Sequence, residues 1–86
     1  MSVESEVREV IAEHMSLPLD QVEPKTLLAE LGMQSMDLVS VIYKLERRVG
    51  VEIVLRAEEI PVWETCDVAW VAKFVASRKN GSAAVA

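Results

Sequence analysis

Ser35 stands in the run GMQSMD at residues 32–37, and its hydroxyl could carry chemistry or simply cap a helix. The residues after it are apolar at helical spacing, so the serine is expected at the start of a helix. A serine N-cap there would contribute about 1 kcal/mol to stability. A covalent attachment point is the second interpretation. A serine hydrolase is disfavoured, because the run is not a GxSxG elbow and no Asp–His pair accompanies it.

Two further residues, Cys66 and His14, have side chains that could act in catalysis. A chain with one cysteine cannot form an internal disulfide. No histidine lies near Cys66 in sequence, so we expect a small buried apolar residue there rather than a nucleophile. His14 falls near the end of the first predicted helix, where a surface histidine suits the helix dipole. The sequence therefore predicts no catalytic residue and no metal site.

Length and charge exclude several classes of protein. The chain has 86 residues and a net charge of −5, which leaves room for one domain and opposes a nucleic-acid-binding surface. It contains no apolar run of transmembrane length, and the acidic N-terminus lacks a signal-peptide core. We expect a cytoplasmic protein that binds neither nucleic acid nor membrane. Residues 35–50, with three bases and two acids, are the least acidic part of the chain.

Apolar spacing predicts an all-α protein with three main helices, one short helix and a long first loop. The predicted helices cover residues 3–15, 36–49, 56–60 and 65–78, and the loop covers residues 16–34. Ser2, Ser35 and Thr65 are the expected N-caps of the main helices. We expect residues 1–78 to form the domain and residues 79–86 a flexible tail. Met1 and this plain tail favour a free-standing protein over an excised domain.

The stretch LLAELGMQSMDLVSVIYKLERRVGVEI, at residues 27–53, resembles the signature of acyl carrier proteins and peptidyl carrier domains. That signature has a Leu-Gly pair, a serine followed by an aliphatic residue, a Leu-Glu pair near the helix end, and an apolar-acidic-apolar run after a turn. Those features are filled by Leu31-Gly32, Ser35-Met36, Leu45-Glu46 and residues 50–53. The helix order on both sides also matches. The resemblance therefore covers residues 3–76 and implies a small acyl-carrier-like bundle.

The resemblance implies that Ser35 receives 4′-phosphopantetheine from coenzyme A, through a separate phosphopantetheinyl transferase. The thiol of this arm then holds an acyl group as a thioester, and the carrier itself is not an enzyme. An exposed hydroxyl at a helix start suits this chemistry, because the backbone N–H groups and the helix dipole tolerate a phosphodiester. Gly32 is expected to let the preceding loop approach closely.

In carriers of this type, partner enzymes contact the outer face of the second helix. The matching positions here are Gln34, Met36, Val39, Ser40, Tyr43, Glu46 and Arg47. Val39 could instead belong to the core. The implied partners are the transferase and an acyltransferase, a ketosynthase or an adenylation-type loading enzyme, all acting on a monomeric carrier.

Two departures from the family pattern bear on the pathway. Gln34 replaces the aspartate that most members carry before the serine, and Ser40, Lys44, Arg47 and Arg48 replace much of the acidity of the second helix. An interface for basic partner surfaces is thereby weakened. The resulting hypothesis is an acyl carrier for polyketide or other specialised biosynthesis. The alternatives are a peptidyl or aminoacyl carrier of nonribosomal peptide synthesis, a fatty acid synthesis carrier, and an unmodified helical interaction domain.

The two tryptophans are unusual in so small a domain. Trp70 is expected in the core, because it shares the spacing of the last helix. Trp63 follows Pro61 and could rim a cleft between the second and third helices, where it would shape the cargo.

Overall fold

Three α-helices form the frame of the protein in the computed structural model, which describes the backbone of residues 2–85 and the side chains of residues 2–78. They are α1 (Val3–Met15), α2 (Ser35–Val49) and α3 (Val68–Val85). Single 3₁₀ turns lie in the connections, at Leu19–Gln21, Ala29–Leu31, Ala57–Glu59 and Trp63–Thr65. Over residues 2–85 no strand forms beyond an isolated antiparallel bridge between Leu27 and Asp67. The all-α prediction is confirmed, and the short helix predicted at residues 56–60 is a single 3₁₀ turn, Ala57–Glu59.

α1 begins as the sequence predicts. The Oγ atom of Ser2 accepts a hydrogen bond from the backbone N–H of Ser5 at 3.1 Å. Glu4 and Glu6 lie in the first turn, where negative charge suits the helix dipole. The helix ends at Ser16, which adopts the left-handed conformation with a φ of 57°.

α2 begins one residue earlier than predicted, at Ser35, and Gln34 is its N-cap. The prediction that Ser35 caps this helix is therefore wrong. The backbone N–H of Gln34 donates to Oδ2 of Asp37 at 2.9 Å, as in a capping box. The helix ends at Gly50, whose φ of 72° lies in the left-handed region that favours glycine.

α3 begins at Val68 rather than near Thr65. Asp67 is the capping residue, because its Oδ1 atom accepts the backbone N–H of Trp70 at 2.8 Å. Thr65 lies in the preceding 3₁₀ turn, where its hydroxyl donates to the carbonyl of Val62, the residue before that turn. The predicted cap at Thr65 is therefore wrong, since an aspartate closer to the helix takes this place.

The backbone of α3 continues through Val85, past the predicted helix end at residue 78. The side chains of residues 79–86 lie outside the described part of the chain, so the flexible tail and the domain boundary at residue 78 stay predictions. None of the three helices, over the described residues, has the length and apolar character that a membrane crossing requires.

All three helices contribute to one hydrophobic core. Its buried residues are Val7, Val10, Ile11, Ala12, Val22, Leu28, Met33, Leu38, Val41, Ile42, Leu45, Ile53, Cys66, Val68, Val71, Ala72 and Val75. The position of Cys66 confirms its predicted apolar role, and burial raises the pKa of its thiol. Trp70 packs partly buried against this core and stacks on Phe74, with ring centroids 5.4 Å apart.

The long first loop packs over the core, as predicted, and hydrogen bonds join it to Cys66 on one side and to α1 on the other. Leu28 is fully buried, and its backbone N–H donates to the carbonyl of Cys66 at 2.9 Å. From α1, Arg8 donates through Nε to the carbonyl of Val22 at 2.6 Å. These bonds fix the course of the loop before its last residues lead into α2.

Candidate functional site

Ser35 is the first residue of α2, and its side chain is exposed. Gln34 is the N-cap and Asp37 accepts the Gln34 N–H, so the start of the helix is capped without the serine hydroxyl. The helix-cap interpretation of Ser35 is therefore wrong. The hydroxyl faces solvent at the positive end of a 15-residue helix. Free N–H groups and the macrodipole stabilise an attached phosphate at such a position.

Gly32 sets the turn that leads to the serine. Its φ of 81° lies in the left-handed region, which costs a residue with a side chain about 1–2 kcal/mol. A Cβ atom at this position would lie 3.9 Å from Cε of Met15, an ordinary van der Waals contact. The backbone conformation therefore requires glycine here, and the close approach expected from the sequence is not the reason.

Trp63 supports the segment between Gly32 and Ser35. Its indole Nε1 donates to the carbonyl of Met33 at 3.3 Å. The Met33 side chain is itself buried, and the Trp63 ring packs partly buried against the core. The turn before Ser35 is thus held by the buried side chain of Met33 and by Trp63, which lies in the segment between α2 and α3.

His14 joins the last turn of α1 to α2. Its Nε2 lies 3.1 Å from Oδ1 of Asp37, and its Nδ1 lies 3.0 Å from Nζ of Lys44. An ammonium group can only donate, so Nδ1 accepts and Nε2 carries the proton that is donated to Asp37. Both ring nitrogens are engaged, so His14 does not offer a free base to Ser35. Sequence reasoning missed these partners, which lie 23 and 30 positions away and meet the ring only when the helices pack.

The carboxylate of Asp37 is committed to contacts within the protein. Its hydrogen bond from the backbone of Gln34, followed by the one from His14, lowers its pKa below the ordinary value. The group is therefore ionised at neutral pH. Over the described residues, no cluster of three or more His, Cys, Asp and Glu side chains is arranged to hold a metal ion.

Two of the three cations of α2 face α1. Lys44 contacts the histidine described above. Nη2 of Arg48 lies 3.0 Å from a carboxylate oxygen of Glu6 and 3.0 Å from one of Glu9. The bond with Glu9 is the main cause that raises the pKa of Arg48. Arg47 is exposed and forms no ion pair with a described residue.

The outer face of α2 contains the residues that the resemblance assigns to partner contacts. The exposed ones are Gln34, Met36, Val39, Ser40, Tyr43 and Arg47. Val39 is 50% exposed, so the alternative that it belongs to the core is wrong. Glu46 differs, because its carboxylate accepts the backbone N–H of Ile53 at 2.7 Å and holds the next segment against the helix. Contact of this face with a partner stays a prediction.

An open groove lies beside this face, between α2 and the segment that follows it. Its volume is about 180 Å³, and it is lined by Val39, Ile42, Tyr43, Glu46, Ile53 and Leu55. Trp63 is not part of this lining. The tryptophan lies against Met33 instead of at the cleft rim that the sequence predicts.

Comparison with known proteins identifies the family. A family model described as a phosphopantetheine attachment site matches residues 5–57, which is more than half of the chain and includes Ser35. The chain belongs to the phosphopantetheine carrier protein family. The acyl carrier protein of Nitratidesulfovibrio vulgaris (strain DP4) is 37% identical over 54 residues, which are 62% of this chain and 71% of the relative. The acyl carrier protein of Campylobacter hominis is 37% identical over 54 residues, 62% of this chain and 68% of the relative. No solved structure matches the chain.

The carrier family and its cofactor, 4′-phosphopantetheine, are both expected from the resemblance and are confirmed by these matches. Carrier proteins in general act with a phosphopantetheinyl transferase and with biosynthetic enzymes. The start of α2 in this carrier fits the group. Ser35 is exposed there, and the carboxylate of that turn, Asp37, is turned to His14 and the Gln34 backbone.

Proposed function

We propose that the protein carries acyl intermediates as thioesters on a 4′-phosphopantetheine arm attached to Ser35. The observation that carries this proposal is the capping of α2 by Gln34 and Asp37, which leaves the exposed serine hydroxyl unused by the fold. In the loading step, the Ser35 oxygen forms a bond to the β-phosphorus of coenzyme A. The phosphoanhydride bond breaks, adenosine 3′,5′-bisphosphate leaves, and the serine proton passes to the transferase.

The carrier is proposed to supply no catalytic group of its own. His14 is the one histidine of the chain, and Asp37 and Lys44 engage both of its nitrogens. A serine nucleophile needs a neighbouring base that can take its proton. The base for loading must therefore come from the transferase, and cargo transfer must be catalysed by the enzymes that dock on the carrier.

The proposed pathway is polyketide or other specialised biosynthesis. The exposed outer face of α2 supports this choice, because it presents Met36, Val39 and Tyr43 and carries Arg47 instead of the acids expected for a fatty acid synthesis carrier. The proposed partners are a phosphopantetheinyl transferase together with an acyltransferase and a ketosynthase. An adenylation-type loading enzyme would make the protein a peptidyl carrier, which is the second candidate. We expect it to act as a monomer in the cytoplasm.

Intact mass after incubation with coenzyme A and a broad-specificity phosphopantetheinyl transferase tests the attachment site. The parent should gain the mass of one phosphopantetheine, and Ser35→Ala should gain none. Ser40→Ala is the matched control, because it removes another exposed hydroxyl from the same helix and should still be loaded.

No gain in the parent would leave two explanations that a further variant separates. Gln34→Asp restores the charge that most carriers have before the serine. Loading of this variant would mean that Gln34 prevents recognition of the parent by the chosen transferase. Absence of loading in Gln34→Asp, with several transferases, would support an unmodified helical interaction domain.

A further inference from the structure

Met36, the residue that follows Ser35, has its thioether at the surface of the protein. Met36 is 71% exposed, whereas the nearby Met33 is only 3% exposed. Met15 is half-buried and packs against the core. Because oxidation of a sulfur atom follows its exposure, a dissolved oxidant reaches the thioether of Met36 more readily than those of Met15 and Met33.

The thiol of Cys66 does not compete for such an oxidant. This residue is fully buried, and burial raises the pKa of its thiol, so little thiolate is present at neutral pH. The thiolate is the form of cysteine that peroxides oxidise. Among the residues whose side chains the structure describes, the most accessible sulfur of the unloaded carrier is therefore that of Met36.

We propose that Met36 is a peroxide-oxidation site whose sulfoxide slows attachment of the arm to Ser35; this inference rests on the proposed carrier function. The oxidant is a hydroperoxide, and hydrogen peroxide is the simplest. A lone pair of the sulfur forms a bond to one peroxide oxygen and the O–O bond breaks. The hydroxide that leaves takes the proton of the transferred oxygen and becomes water. The sulfur loses two electrons and the peroxide gains them, so no further reactant is needed.

The sulfoxide places a polar oxygen beside the hydroxyl that must react. Met36 is the second residue of α2 and lies in the first turn, where the N–H groups lack partners within the helix. Helical side chains lean toward the N-terminus of their helix, which brings the sulfoxide oxygen toward these N–H groups. The same groups stabilise a phosphate on Ser35. The oxidised side chain therefore competes with the phosphate for the donors of the helix start.

Oxidation also changes a surface that a transferase covers when it reaches Ser35. Met36 and Val39 are three residues apart on one face of α2, and both are exposed. A sulfoxide oxygen that is covered there loses its water, and an unpaired buried polar group costs about tenfold in binding. Both effects lower the rate of loading.

The fold does not depend on the Met36 side chain. The buried core and the residues packed against it do not include Met36, whereas they include Met15 and Met33. Oxidation of Met36 should therefore change the reactivity of Ser35 without changing the free energy of unfolding. This separation distinguishes a local modification from general oxidative damage.

Peroxide treatment of the full unloaded chain tests this inference. After the peroxide is removed, tandem mass spectrometry of the peptides locates each added oxygen. Initial rates of mass gain with coenzyme A and a phosphopantetheinyl transferase give kcat/KM for treated and untreated protein. The variants are Met36→Leu and the matched control Met33→Leu, because leucine has a similar apolar volume and cannot form a sulfoxide. Each variant is compared with itself, so that a change in its basal rate cancels.

Oxygen should enter Met36 about tenfold faster than Met33. Treatment should lower kcat/KM of the parent and of Met33→Leu by about tenfold, and a methionine sulfoxide reductase should restore both. Met36→Leu should have the same kcat/KM with and without peroxide. Urea unfolding of the parent should be unchanged by oxidation of Met36.

Equal loading of the treated and untreated parent overturns the inference. Faster oxidation of Met33, an equal loss of rate in Met36→Leu, or a lower free energy of unfolding after oxidation of Met36 also overturns it. If the untreated parent is not loaded by any transferase, the proposed carrier function fails, and this inference fails with it. If the untreated parent is loaded and oxidation leaves its rate unchanged, the carrier function stands and the oxidation inference alone is lost.

Discussion

The imidazole Nε2 of His14 lies 3.1 Å from Oδ1 of Asp37, which joins the last turn of α1 to the helix that begins with Ser35. The other oxygen of the same carboxylate accepts the backbone N–H of Gln34. One side chain therefore both caps α2 and ties it to α1. The lowered pKa of Asp37 keeps the carboxylate that makes both contacts ionised at neutral pH.

Asp37→Asn is expected to reduce the acid sensitivity of the carrier. Because the folded pKa of Asp37 is lowered, its carboxylate contributes stability that is fully present above the unfolded pKa. That contribution is lost as the pH falls through the lowered folded pKa. The parent should thus lose unfolding free energy below about pH 5, and the variant should lose less over the same range. Urea unfolding at a series of pH values, followed by circular dichroism, measures both.

The control for this experiment is Glu58→Gln, which neutralises an exposed carboxylate in the second connection. It should keep the acid sensitivity of the parent. If Asp37→Asn and Glu58→Gln have the same pH dependence, the Asp37 contacts do not contribute to acid unfolding.

Gly32→Ala and Gly50→Ala are expected to have similar costs in stability and different effects on loading. Their φ angles are 81° and 72°, so each alanine should lower the unfolding free energy by about 1–2 kcal/mol. Gly32 lies in the turn before Ser35, whereas Gly50 ends the helix at its far end. Only the first substitution should slow phosphopantetheinylation, as measured by initial rates of mass gain. Equal slowing by both would attribute the effect to general instability.

Trp63→Phe should loosen the turn before the serine while leaving an aromatic ring in place. The variant loses the indole donor to the Met33 carbonyl, which should cost about 1 kcal/mol. We expect kcat/KM for phosphopantetheinylation to fall several-fold, because the transferase must then order the turn itself. Trp70→Phe is the matched control, since it makes the same substitution at a ring that stacks on Phe74 within α3. A rate unchanged by Trp63→Phe would show that the turn is held by Gly32 and Met33 alone.

Cys66 should react only slowly with thiol reagents in the native carrier. Its side chain is fully buried, and burial raises the pKa of its thiol, so little reactive thiolate is accessible. Native unloaded protein should react slowly with a disulfide reagent, and the loaded protein should show one fast-reacting thiol, on the arm. Loaded Cys66→Ala should keep that fast thiol. Fast reaction of the unloaded parent would mean that the region around Cys66 opens readily.

The spacing of apolar residues predicts the three helices. It places the start of α2 one residue too late, so that Ser35 is predicted as the N-cap and is observed as the first helical residue. The N-cap of α1, Ser2, is predicted correctly, whereas the other two caps are missed by one or two residues, with Ser35 predicted for Gln34 and Thr65 for Asp67. The reason is physical, because several polar residues near a helix start can accept a first-turn N–H. Backbone conformation decides which of them does so.

Contacts between helices cannot be predicted from local patterns in the sequence. The pairing of His14 with Asp37 joins residues 23 positions apart, and it forms only when α1 and α2 pack in one particular rotation. The same rotation turns Lys44 and Arg48 toward α1 and leaves Arg47 outside. The chemistry of the outer face of α2 therefore follows from the packing, although every residue in it can be read from the sequence.

The anchored turn before α2 has a mechanical consequence. Gly32 is in the left-handed conformation, Met33 is buried, and Trp63 donates to the Met33 carbonyl, so the fold holds the turn before Ser35. If the arm is attached at Ser35 as proposed, we expect the freedom of the tethered cargo to reside in the rotatable bonds of the arm. The thiol would then sweep a volume whose radius is the length of that arm. Each enzyme of the pathway must place its active-site entrance within that radius of the surface on which the carrier sits.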